Sequence, residues 1–197
     1  MAELKTEVRG ASGLLYNYAD LENMPVPTVY EIAAHISKEQ RFGGACKHFY
    51  SVAQHAVNAS VVADELSGGD PIIALYTLHH DDHEFILKDA MTPLKNYIFM
   101  RTGIDVYEEL SEQLDEVIFG EMLGLPYPMP DHIHEIVAEA DKRMYVSEGM
   151  ALVRNFEHKG DTQPASFSIE PVNHERAERA YLDRHANLVR LRGRRRV

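Results

Sequence analysis

Apolar residues recur at spacings of three and four along most of the chain, which is the pattern of amphipathic helices around a shared core. This pattern predicts helices over residues 28–39, 51–66, 70–81, 105–122, 131–157 and 172–191, and a loop over residues 158–171. No segment alternates convincingly as a strand does, and nothing repeats at a fixed period. We therefore expect an all-α fold, a helical bundle.

Signals for helix ends support two of these boundaries. Ser51 and Gln54 form a capping-box pattern, in which each side chain is expected to satisfy a backbone N–H near the other. Asp70 is a capping residue, and Pro71 suits the first helical position. Gly68 and Gly69 before them supply the turn between the two helices.

Length and composition indicate one domain of ordinary size. The 197 residues are 45% hydrophobic, enough for one substantial core and short for two. We expect a single domain over residues 1–197, with its core at about 28–158 and a C-terminal helix and tail at about 172–197. No stretch is long and apolar enough for a membrane span, and the N-terminus lacks the layout of a signal peptide. With Cys46 as the only cysteine, a cytoplasmic protein without an intrachain disulfide is expected.

Charge argues against a general nucleic-acid binder. The formal net charge is -11, whereas such proteins bind phosphates with an excess of Lys and Arg. The last fourteen residues are the exception, because they contain six arginines: Arg184, Arg190, Arg192, Arg194, Arg195 and Arg196. Such a tail is most often solvated; a contact in a homo-oligomer and a phosphate-facing arm are the alternatives.

The adjacent pair His80-Asp81 is the strongest chemical signal. It offers an imidazole nitrogen and a carboxylate oxygen at one point, which suits a divalent ion with mixed ligands. Asp81 follows a strongly apolar segment, where a buried carboxylate must be paired or bound to a metal. Neighbouring His79 leaves an ambiguity, because two consecutive imidazoles project from different faces of a helix. A lone histidine such as His55 is more often a core or capping residue than a ligand.

Three segments together resemble HD-domain phosphohydrolases. Residues 78–84 with 88–95 are similar to the family's His-Asp-x-x-Glu helix and the Gly-Asp-x-Pro-x-Pro-Leu-Lys stretch after it, with Lys88 and Met91 in place of a glycine and a proline. Residues 41–55 resemble an arginine-to-histidine block, and residues 138–148 resemble the segment of the last aspartate. The resemblance spans residues 16–150. It is nearest to the small stand-alone group of YfbR-type 5'-deoxynucleotidases and phage DatZ-type dATP triphosphohydrolases.

This resemblance implies one divalent transition metal (Mn, Co, Fe or Zn) on four residues, and register with the family favours His80 over His79. The implied ligands are His55, His80, Asp81 and Asp141. Glu84 and Asp89 are the implied acid/base or water-positioning carboxylates, although each alone could equally be a surface or capping residue. Candidates for substrate binding are Arg41, Lys47, His48, Tyr18 and Lys95. Tyr16 and Tyr18 could equally be core aromatics, and Tyr145 and Glu148 are further candidates for lining the cavity.

The implied activity is hydrolysis of a 2'-deoxynucleotide by a homo-oligomeric enzyme. A dNTP triphosphohydrolase of the dATP type leads, because residues 41–55 are more similar to the phage group, and a 5'-deoxynucleotidase acting on dNMPs is the alternative. A signalling-nucleotide phosphohydrolase and a non-catalytic nucleotide-binding module remain as further alternatives.

Overall fold

The computed structural model describes residues 5–194, and it confirms the all-α helical bundle. The helices, in chain order, are α1 (Val29–Ile36), α2 (Val52–Ser67), α3 (Pro71–Leu78), α4 (Glu84–Leu87), α5 (Thr92–Thr102), α6 (Val106–Asp115), α7 (Asp131–Leu152) and α8 (His174–Arg194). A π-helical segment, Glu116–Met122, continues directly from α6. Short 3-10 turns lie at Leu21–Asn23 and Arg41–Gly44.

Helix α2 is the centre of the bundle and packs against α3, α7 and α8. Much of its buried surface consists of small side chains, among them Ala53, Ala56, Ala59 and Ala63, which let the neighbouring helices approach closely. Helix α8 also packs against α1 and α3, so the C-terminal helix covers the same core as the N-terminal ones. The buried apolar cluster accordingly extends from Tyr16 to Leu188.

The predicted caps are present, with one change. Asp70 accepts a hydrogen bond from the Ile72 N–H at 2.9 Å, and Ser51 Oγ accepts one from the Gln54 N–H at 3.2 Å. The other half of the capping box is not formed. The Gln54 amide instead donates to the carbonyl of Glu170 and accepts from the Val172 N–H, so it ties the loop before α8 to α2.

Several predicted boundaries were wrong. Helix α3 ends at Leu78, and residues 79–83 form consecutive tight turns, so His80 and Asp81 are on a turn and not on a helix. Helix α7 ends at Leu152 and not at residue 157. The sequence pattern also missed a short antiparallel hairpin of β1 (Glu7–Arg9) and β2 (Leu15–Asn17).

Helix α5 was missed as well, and it differs from the others in its surroundings. None of its residues is buried, although half of them are apolar. Among the described residues, no helix is long and apolar enough to cross a membrane.

Candidate metal centre and adjoining cavity

Four side chains predicted as ligands converge at one point of the bundle. His55 comes from α2, His80 and Asp81 from the turn after α3, and Asp141 from α7. The two Nε2 atoms lie 3.3 Å apart, and Asp141 Oδ1 is 3.2 Å from that of His55 and 3.8 Å from that of His80. Asp81 Oδ2 lies 3.5 and 3.4 Å from the same two nitrogens.

Both imidazoles are held with their Nε2 atoms facing this point. His55 Nδ1 donates to Glu148 Oε1 at 2.7 Å, and His80 Nδ1 donates to the Thr77 carbonyl at 2.7 Å. Because Nδ1 donates in both bonds, the lone pair of each neutral imidazole lies on Nε2, the atom that faces the other predicted ligands. A carboxylate or carbonyl on the second ring nitrogen is the usual support of a metal-ligating histidine.

The distances fit a divalent ion. Ligand atoms about 2.1 Å from an ion and separated by 90–110° lie roughly 3.0–3.5 Å apart, close to the spacing observed here. The charges around the cluster also favour a bound cation. Burial acts to lower the pKa of His80, but Asp81 and Asp141 outweigh it and raise that pKa to about 10. The cluster therefore stabilises positive charge at its nitrogens, and the ligand atoms of His55, His80 and Asp141 are close enough together to hold a metal ion, with Asp81 beside them.

The pKa of Asp141 shifts in the opposite direction to that of His80. Burial acts to raise its pKa, but hydrogen bonds from His55 and His80 outweigh burial and hold the pKa well below its usual range. Asp81 behaves similarly: His80, His55 and Arg41 overcome burial and lower its pKa. Both carboxylates are therefore ionised at neutral pH, as ligands must be.

A cavity of about 800 Å³ opens beside this cluster, and Asp81 and Asp141 form part of its wall. Arg41 also lines it. Its Nη1 donates to Asp81 Oδ2 at 3.2 Å and its Nε to Glu148 Oε2 at 3.1 Å. Burial acts to lower the pKa of Arg41, but the carboxylates of Glu148 and Asp81 outweigh it and raise that pKa. Lys95 lines the cavity too, with Nζ 4.3 Å from the centre of the Tyr107 ring.

Glu84 and Asp89 are the other predicted catalytic residues, and both line the cavity. Burial, together with the nearby charges of Asp81 and Asp89, raises the pKa of Glu84 well above its usual range. Its Oε2 is buried and has no hydrogen-bond partner among the described residues. Burial also raises the pKa of Asp89, while Arg41 acts against it. Glu84 is thus the group favoured to carry a proton.

A second cavity of about 690 Å³ also borders this cluster. His80, Asp81 and Asp141 line it together with the acidic side chains Glu108 and Asp115. Asp115 Oδ1 accepts from His83 Nδ1 at 3.1 Å. Asp81, His83 and Glu84 form another group whose ligand atoms lie within 4.8 Å of one another.

The structure does not bring three predicted substrate residues to the cavity of about 800 Å³. Lys47 and His48 are exposed, and Lys47 Nζ donates to the Ala151 carbonyl, so it supports the end of α7. Tyr18 donates to the Ile86 carbonyl at 2.7 Å and anchors the N-terminal segment to α4. Tyr16 is fully buried against Phe85, which makes it a core aromatic.

Other residues of the cavity wall were missed from sequence. Phe42 and Lys142 line it, as does Tyr145, which the sequence indicates as a candidate. The centres of the Phe42 and Tyr145 rings are 6.0 Å apart. Phe42 has φ +59° and ψ +28°, a left-handed conformation that costs energy for a residue with a bulky side chain. Such strain is common at ligand sites. The adjacent Gly43 and Gly44 were the only sequence signal for this turn.

The ambiguity between His79 and His80 has a clear structural basis. His79 is fully buried and points away from the ligand cluster, with Nδ1 near Asp82 and Nε2 2.9 Å from His185 Nδ1. Tyr181 on α8 donates to Asp82 as well. This network attaches the turn that carries His80 and Asp81 to α8. Residue 79 is thus part of the support of the cluster.

Half of the chain is similar to a known bacterial protein. Over 109 residues it is 35% identical to a protein of Escherichia coli (strain K12) named uncharacterized protein YfdR. The match covers 55% of this chain and 54% of that protein. No protein-family model matches the chain.

Proposed function

We propose that this chain is a divalent-metal-dependent phosphohydrolase of the HD-domain type that acts on 2'-deoxynucleotides. The supporting observation is the convergence of His55, His80, Asp81 and Asp141 beside a cavity with a protonatable buried carboxyl group. Mn, Co and Fe suit this donor set, because four protein ligands leave coordination positions for water and a phosphoryl oxygen. A divalent ion held there supplies Lewis-acid activation of water and neutralises phosphoryl charge.

The side chains divide the remaining work. Arg41 faces the cavity and binds phosphoryl oxygens, where negative charge increases in the transition state. Asp89 accepts a proton from the attacking water. Glu84 donates a proton to the leaving oxygen, a role that its raised pKa favours. In the leading version, water attacks the phosphorus next to the 5' oxygen, the P–O5' bond breaks, and deoxynucleoside and triphosphate are released.

Cations at the cavity favour a triphosphate. Arg41, Lys95 and Lys142 all line it, so a chain of phosphates has three cationic side chains to contact. A dNMP substrate is the second candidate, because Arg41 already pairs with Asp81 and Glu148 and has less free charge for a long phosphate chain.

The test is product analysis with purified protein. Each dNTP and dNMP is incubated with Mn²⁺ or Co²⁺, and phosphate, pyrophosphate and triphosphate are separated by ion exchange. We expect triphosphate from dNTPs, no product from Asp141→Asn, and unchanged rates in Glu139→Gln, at a partly exposed residue of the same helix that pairs with Arg143. Turnover of dNMPs alone would select the 5'-deoxynucleotidase. Absence of hydrolysis with every nucleotide and metal would refute the proposal.

A further inference from the structure

Helix α5 has an apolar composition but lies outside the core. Six of its exposed side chains, or those just after it, are large and apolar: Leu94, Tyr97, Ile98, Phe99, Met100 and Ile104. Met100 has the largest exposed fraction, 79%. An isolated helix of eleven residues is only marginally stable in water, so α5 needs a surface to pack against.

The size of this apolar surface matches half of a protein interface. Six side chains, each about half exposed, offer on the order of 600 Å², which is at the upper end for the largest patch of a monomer. A standard interface takes about 800 Å² from each partner. Positions 97–100 are consecutive and so cover a complete turn. The helix therefore fits a groove between other helices better than a flat surface.

Charge indicates which partner fits. Residues 91–104 contain two cations, Lys95 and Arg101, and no acid, although the whole chain has a net charge of -11. Arg101 makes no ion pair within residues 5–194; it contacts only the Tyr97 hydroxyl, at 3.5 Å. The adjoining helix α6 is acidic instead, because it exposes Glu108, Glu109 and Glu112. One chain thus presents a basic apolar helix followed directly by an acidic helix, which is a self-complementary pair.

We propose that α5 is the dimerisation element of this protein and packs against the α5–α6 surface of a second copy about a two-fold axis. A two-fold contact uses the same surface on both copies, as a basic and an acidic helix on each chain allow. The arginine tail is less suited to this task. Arg184 binds Asp64 and the Ser60 carbonyl, and Arg192 donates to the Leu123 and Gly124 carbonyls of its own chain. Arg195 and Arg196 lie outside the described residues.

The proposed dimer contact on α5 lies next to the cavity of about 800 Å³. Thr92, Lys95 and Asn96 line the cavity of about 800 Å³, so a partner packed on α5 would hold that wall in place. The proposal concerns association of the chain and stands apart from the phosphohydrolase proposal, because its test measures mass and needs no nucleotide.

The first test is sedimentation velocity of the full chain from 1 to 100 µM. The wild type is expected at twice the chain mass, and the double variant Phe99→Glu/Met100→Glu at the mass of one chain, with circular dichroism as the check on folding. Met150→Glu is the matched control, because Met150 is exposed on α7, and it should stay dimeric. A monomeric wild type at 100 µM, or a double variant that keeps the dimer mass, would overturn the proposal.

A second test leaves the interface nearly intact. In a Cys46→Ser background the chain has no thiol, so Met100→Cys or Met150→Cys introduces a single one. The rate of maleimide labelling at position 100 should fall several-fold as protein concentration rises, while the rate at position 150 stays constant. A rate at position 100 that is independent of concentration would contradict the dimer. Wild-type monomers that bind anionic vesicles through α5 would likewise contradict it and identify a lipid surface as the occupant.

Discussion

The cavity of about 800 Å³ has two walls that differ in how they are supported. One, the ligand wall, contains the carboxylates of Asp81 and Asp141, which contact the imidazoles of His55 and His80 behind them. Those imidazoles are held by Glu148 and by the Thr77 carbonyl. The other, the α5 wall, consists of Thr92, Pro93, Lys95 and Asn96, on a helix with no buried residue. The proposed metal chemistry, which requires fixed geometry, would thus lie where packing is dense, whereas in a single chain the α5 wall belongs to a helix that can open locally with ease.

The largest effect is expected from breaking the ligand wall itself. Asp81→Asn removes a ligand charge and one partner of Arg41. We expect nucleotide hydrolysis to fall at least about 10³-fold, since loss of an activating group at the reacting centre raises the barrier by several kcal/mol. Bound metal after dialysis, measured by plasma mass spectrometry, should fall with it. Glu139→Gln serves as the control, and equal metal content in both variants would contradict the ligand assignment.

A smaller effect is expected from a change at Glu148, which supports the predicted ligand His55. Glu148 is fully buried and accepts from His55 Nδ1 and from Arg41. Glu148→Gln keeps the shape but removes the charge that orients the imidazole, so metal affinity should fall about 10–100-fold. Calorimetric titration with Mn²⁺ measures this. An unchanged affinity would show that α7 does not orient His55.

The ligand wall was largely predictable from sequence, and the α5 wall was not. His55 and Asp141 lie beside amphipathic stripes, Asp81 follows a strongly apolar segment, and the resemblance to a known family links the three. Helix α5 has apolar residues on all sides, so it lacks the period that reveals a helix against a core. Because α5 has no buried face on its own chain, its sequence shows no periodic pattern from which the helix could be predicted.

Turns and tertiary contacts explain the remaining misses. The end of α3 at Leu78 has no Gly or Pro to mark it; the break is made by the buried His79–Asp82 contact. Strands of three residues are too short to show alternation. Phe42 and Lys142 are about a hundred residues apart in sequence and meet only at the cavity.

Helix α8 supports the turn that carries His80 and Asp81, and this support can be tested through protein stability. Tyr181 is fully buried, and its hydroxyl donates to Asp82 next to His79. Tyr181→Phe leaves the buried Asp82 Oδ1 without this donor, so the free energy of unfolding should fall by about 1–3 kcal/mol. Urea unfolding followed by circular dichroism measures the change. Tyr30→Phe, at an exposed tyrosine, should change stability little, and equal effects in both variants would show that α8 does not support this turn.

The smallest effect is expected on α5, and one pair of methionines makes the comparison direct. Met144 is fully buried on α7, and Met100 is exposed on α5. In a Phe99→Glu background, which is expected to weaken the proposed dimer, Met144→Ala should lower the free energy of unfolding by about 2–5 kcal/mol through lost packing. Met100→Ala should change it by less than about 0.5 kcal/mol, as exposed sites do. If Met100→Ala instead costs as much as Met144→Ala, α5 packs on its own chain, and the contrast between the two walls is wrong.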